Sequence, residues 1–186
     1  MAKVLVRARS LFGTPPPPAR TSLPELPVAL LRSELATPYL AAQAVGQHPD
    51  AGAAATAAME QAVTQRDWWP ADIWGHRALW HYERAGMELE ATRAARLIGD
   101  LRSAAGDPAS SRRYYAEAIS EARDLAAERE QGLAALGMGR AALDLSAVTT
   151  ARRLAQVAME LLERCGAPAD ELDAARQLRG EEKEVS

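Results

Sequence analysis

From Leu23 onward, apolar residues recur three and four positions apart with charged residues between them, the pattern of amphipathic helices. Leu30, Leu31 and Leu35 mark the first such stretch, and Pro24 and Pro27 suit a helix start. Thr37-Pro38 reads as an N-cap followed by proline at the first helical position, which predicts a second helix. Gly46 to Asp50 reads as a turn, with Asp50 capping an Ala-rich helix from Ala51 to about Arg66 that packs through Met59, Ala62 and Val63. Trp68-Trp69-Pro70 is expected to end that helix, because proline cannot continue the hydrogen-bond ladder. Asp72 then caps a helix through Trp74, Leu79, Trp80 and Tyr82 to about Gly86. A last helix is predicted within residues 167–180, with Pro168 at its start and Leu172, Ala175 and Leu178 on one face.

Composition strengthens the helical reading. The chain has 186 residues, one domain's worth, and 41 of them are Ala, the best intrinsic helix former and a poor strand former. At 48% hydrophobic and 25% charged residues it resembles an ordinary globular protein, neither disordered throughout nor embedded in a membrane. No window approaches the ~18 apolar residues of a membrane span, and the first residues lack the apolar core of a secretory signal. The net charge of −3 without a basic face gives no general driving force for nucleic-acid binding. Of the 22 basic residues only Lys3 and Lys183 are lysine, a bias that GC-rich coding explains. A single cysteine, Cys165, excludes an intramolecular disulfide and fits a reducing compartment, so a cytoplasmic protein is expected.

Residues 1–22 differ from the rest. A basic and apolar stretch containing Arg7, Arg9 and Phe12 runs into Pro15 to Pro18, which favour an extended, unpaired backbone. This tail and linker is either a plain leader or a docking peptide for a partner. Residues 23–66 then form irregular N-terminal helices, residues 67–180 a repeat region with a capping helix, and residues 181–186 an acidic tail.

Overlaying segments exposes an internal repeat. Ile98-Gly99, Gly106-Asp107, Ser111, Tyr115 and Ala118-Ile119 have a counterpart in Met138-Gly139, Ala151, Ala155 and Ala158-Met159, and an earlier half copy in Ala78, Tyr82 and Ala85. In this register Ala78, Ser111 and Ala151 are separated by 33 and then 40 residues. The pattern resembles the tetratricopeptide repeat. That resemblance implies antiparallel helical hairpins stacked as a short all-α solenoid, with a concave groove lined by the first helix of each pair. It also implies a protein-binding role.

A search for catalytic constellations is nearly empty. There is no phosphate-binding glycine loop, no Gly-x-Ser-x-Gly and no His-Glu-x-x-His. His76 and His81 sit about 140° apart around a helix and cannot share a metal on one face. Cys165 reads as a small buried hydrophobe rather than a nucleophile. No enzyme activity, metal or cofactor is therefore expected.

The candidate sites are for partners. All four tryptophans fall between positions 68 and 80, and Trp68 and Trp69 make an aromatic patch suited to an interface, with Trp68 the more exposed. Counting along the first helices places Arg93, Arg96 and Asp100, then Leu136, Arg140 and Leu143, on the inner stripe, with Arg176 in line on the last helix. Arginine forks at such positions suit a peptide carboxylate. The expected function is a scaffold, adaptor or assembly factor that binds a peptide or helix of another protein. The alternatives are a ligand-sensing regulatory module of a bacterial signalling system and a permanently docked subunit of a larger complex.

Overall fold

The structure is a computed structural model that describes residue 23 and residues 25–180. The tails at 1–22 and 181–186, and with them Arg7, Arg9 and Phe12, lie outside the described residues. Among the described residues the chain is all-helical: α1 (Val28–Leu31), α2 (Ala36–Ala44), α3 (His48–Thr64), α4 (Trp68–Ala85), α5 (Glu88–Ala104), α6 (Pro108–Asp124), α7 (Glu128–Asp144), α8 (Val148–Arg164) and α9 (Ala169–Arg179). Each helix packs on its neighbour in sequence, and α7 also touches α5 and α9, so the helices stack in order.

The connections set the architecture. Positive φ recurs at Gly46, Arg66, Gly86, Gly106, Ala126, Ser146 and Gly166, one position every twenty residues. Beyond each of these residues the next N–H bonds back across the helix end, from Gln47 to the Ala42 carbonyl through to Ala167 and the Leu162 carbonyl, all within 2.8–3.0 Å. This is the Schellman closure that satisfies the last carbonyls of a helix and reverses the chain. Helices of 17 or 18 residues joined by such turns give a uniform repeat of 40: α3, α5 and α7 begin at 48, 88 and 128, and α4, α6 and α8 at 68, 108 and 148.

That register corrects the spacing of 33 expected for the first repeat. Ala78 is the counterpart of Ala118 and Ala158, while Ala71 is the counterpart of Ser111 and Ala151; all six are buried. The sequence alignment slipped by seven residues, which is close to two helical turns and leaves small residues on the same face. In the same register α1 and α2 occupy the place of one further outer helix, broken between Arg32 and Leu35.

Other local expectations also shift. Trp68-Trp69-Pro70 does not stop α3 but forms the first turn of α4, where the missing proline N–H has no intrahelical partner to lose. Asp67 precedes that helix, and Asp72 lies inside it, paired with Arg102 at 2.6 Å. Asp50 sits in the first turn of α3 behind Gln47, and Thr37 lies within α2. At α6 the expected turn does form: Asp107 Oδ1 accepts a hydrogen bond from the Ser110 backbone N–H at 3.0 Å, which holds its carboxyl below the usual carboxylate range. The last helix forms as expected, with Leu172, Ala175 and Leu178 packed on α7 and α8 residues. Cys165 is exposed at the end of α8 rather than buried.

Alanine and glycine make the interior compact, and a few large side chains fill what remains. Trp74, Tyr39, Tyr115, Ile98 and Leu162 are fully buried among Ala51, Ala55, Ala95, Ala118 and Ala155. Small residues let neighbouring helix axes approach, and each large ring then covers the area that several alanines leave uncovered.

Candidate functional site

The inner helices α3, α5 and α7 share one side of the stack, and their surface holds an open groove of about 410 Å³. Along α5 the lining residues Glu90, Arg93, Ala94 and Leu97 follow helical spacing, with Arg96 beside them. Thr56 and Glu60 come from α3, Arg129 and Glu130 from α7, and the Tyr82 ring from α4. The lining therefore comes from α3, α5 and α7 together with one ring from α4.

Its charges are organised around Glu130, a carboxylate only 5% exposed. One oxygen accepts from Arg93 Nε at 3.1 Å and the other from Arg96 Nε at 3.0 Å. Arg96 also donates from its terminal nitrogen to Asp100 Oδ2 at 2.7 Å, and the Tyr115 hydroxyl donates to Asp100 Oδ1 at 2.8 Å. A continuous polar chain thus links α5, α6 and α7 through Arg93, Glu130, Arg96, Asp100 and Tyr115. Burial pushes the Asp100 carboxyl up despite the opposing pull of Arg96, Tyr115 and Arg140. Burial and the neighbouring Asp100 carboxylate together raise Tyr115, which stays a neutral donor. At the edge of the groove Arg129 forms a two-point contact with Glu171 of α9, at 3.1 and 2.5 Å.

The residues expected from sequence divide accordingly. Arg93 and Arg96 line the groove and Asp100 adjoins it, all three drawn into one network. Arg140 is exposed on α7, close enough to Asp100 to favour its charged form, and it enters no ion pair among the described residues. Arg176 does not line the groove; it pairs with Asp173 at 3.2 Å and reaches Glu163 at 3.9 Å. Leu136 is buried in the core, while Leu143 is 46% exposed. In the aromatic patch the order reverses: Trp69 is 55% exposed, and Trp68 is half-buried against the core.

Two features escaped the sequence reading. Glu60, Glu90 and Glu130 line the groove beside the three arginines, and the 40-residue register makes Glu90 and Glu130 equivalent. The second is a polar cluster beneath α2. Arg77 donates to the Tyr39 hydroxyl at 3.1 Å, that hydroxyl lies 3.1 Å from His81 Nε2, and His81 Nδ1 lies 2.9 Å from His48 Nδ1. The Tyr39 hydroxyl and the His81 ring are both satisfied when Tyr39 donates to His81 and neutral His81 donates to His48. Burial, His48 and Arg77 lower the His81 pKa to about 4.

No group of three or more His, Cys, Asp or Glu side chains is arranged to hold a metal among the described residues. No described helix is long and apolar enough to cross a membrane. The chain matches no family model and no curated protein.

Proposed function

We propose that this protein is a non-catalytic, tetratricopeptide-like scaffold or adaptor that holds a peptide or helix of another protein against its inner helices. The observation that carries this reading is the open groove across α3, α5 and α7, with Ala94 and Leu97 flanked by charged side chains. An apolar floor with a polar rim is the usual anatomy of a protein-binding surface. An open groove suits an extended or helical segment better than an enclosed cavity would. The single cysteine supports a cytoplasmic setting for this role.

The test is site-specific photo-cross-linking in cells of the source organism. A photoreactive residue at position 97 is expected to capture one defined protein, identified by mass spectrometry. The same residue at position 157, on α8 and away from the groove, is expected not to capture it. Equal capture from both positions, or none from position 97, overturns the assignment of the groove as the binding surface.

A further inference from the structure

The groove's arginines are already occupied. Arg93 and Arg96 both hold Glu130, Arg96 also holds Asp100, and Arg129 is forked onto Glu171. Taking Arg93 and Arg96 outright would strip Glu130, a carboxylate that is 5% exposed, of its partners, and sharing only the terminal nitrogens of Arg93 would set two carboxylates on one guanidinium. Removing one side of a buried ion pair costs more than an exchange of like contacts returns. The fit to a peptide carboxylate expected from the arginine stripe is therefore poor.

The unmet charges in the groove are negative. Glu60, exposed on α3, and Glu90, half-buried on α5, both line it, and neither enters an ion pair among the described residues. Leu97, part-exposed on α5, gives the same groove an apolar seat beside Tyr82 and Ala94, which are 8% and 2% exposed. Long basic side chains are built for such a surface, since their aliphatic stems cover apolar area while the charged head reaches carboxylates at the rim.

Resting on the groove reading above, we propose that the ligand is a peptide segment carrying an arginine or lysine among apolar residues, its basic head recognised by Glu60 and Glu90 and an apolar neighbour seated on Leu97.

The experiment selects binders to the full chain from a displayed library of random 12-residue peptides, then measures synthetic copies by fluorescence anisotropy. The expected winners carry Arg or Lys flanked by Leu, Ile or Met. They should bind about tenfold more weakly to the Glu60→Gln, Glu90→Gln double variant, and weaken as salt rises. Glu160→Gln, on α8 outside the groove, should not change them. Both glutamates are surface groups replaced by isosteres, and thermal melts of each variant confirm an intact fold. Acidic winners whose binding falls with Arg93→Gln but not with the double variant would overturn this proposal and leave the groove reading standing. Winners indifferent to Leu97→Arg, or no enrichment at all, would overturn the groove reading itself.

Discussion

Tyr115 reaches across the α5–α6 hairpin to donate a 2.8 Å hydrogen bond to Asp100, and it does so from between two glycines. A Cβ built on Gly99 would lie 2.8 Å from the Tyr115 ring, and one built on Gly137 would lie closer still. The ring thus occupies space that α5 and α7 leave open only by lacking side chains there, and its hydroxyl anchors the polar chain that ends at Arg93.

Gly137→Ala is expected to destabilise the protein by about 1–3 kcal/mol, because the added methyl meets a ring confined on both sides. Tyr115→Phe keeps the ring and removes the donor to Asp100, for a loss of about 1 kcal/mol. Urea denaturation measures both. If Gly137→Ala is as costly in a Tyr115→Leu background as in the native chain, the clash does not arise from this ring.

Glu130 is the hub of the groove, so its removal should be felt in stability as well as in binding. Glu130→Gln leaves Arg93 and Arg96 without their shared counter-charge; Arg93, 46% exposed, recovers through water, while Arg96, 17% exposed, does not. The expected loss is about 2 kcal/mol, below the ~3–5 kcal/mol of a fully buried pair. A double-mutant cycle with Arg96→Gln should give a coupling of at least ~0.5 kcal/mol, and additive effects would show that the two groups do not stabilise one another.

The hairpin from Gly99 to Ala118 was legible in the sequence because its markers are chemically distinct: Gly-Asp at the turn, a tyrosine facing a glycine, small residues where helices touch. Further toward the N-terminus those markers dissolve. In α4 alanine recurs every seven residues on one face, at Ala71, Ala78 and Ala85, so an alignment displaced by two turns matches as well as the true one. The real period is written in the backbone, and Arg66, Ala126 and Ser146 adopt positive φ without being glycine, so composition conceals three of the seven turns. Counting put Arg93 and Arg96 on one stretch of α5, but a stripe of arginines says nothing about Glu130, which packs against them from 37 and 34 residues away. The histidine cluster was invisible for the same reason. Tyr39, His48 and His81 meet only after α2, α3 and α4 have stacked.

The non-glycine turns carry a cost that can be removed. Ala126 has φ of 54°, a left-handed conformation unfavourable for a side chain with a Cβ by roughly 1 kcal/mol or more. Ala126→Gly is expected to raise stability by about 0.5–1 kcal/mol, the relief exceeding the extra entropy that glycine gives the unfolded chain. The opposite change at the equivalent turn, Gly106→Ala at φ of 85°, should destabilise by a similar amount. Thermal melts compare the two, and a fall in melting temperature for Ala126→Gly would contradict the assigned turn.

His81 gives the fold a pH dependence whose sign follows from its environment. Its pKa falls from 6.5 in the unfolded chain to about 4 when buried beside His48 and Arg77, so the unfolded state binds the proton more readily. Stability from this group is complete above about pH 6.5, declines as pH falls toward 4, and is fully lost below that. At 1.36 kcal/mol per unit the shift sets a ceiling of about 3 kcal/mol. Carboxylates titrate in the lower part of the same window, so the measurement is the difference between the native chain and His81→Gln, followed by urea unfolding from pH 7.5 to 4. The native chain should lose stability more steeply between pH 6.5 and 5, where carboxylates contribute least. Parallel curves would mean that His81 does not hold its proton differently in the folded state, and would remove the directed chain from Arg77 through Tyr39 to His48 as a description of how α2 is fastened to α4.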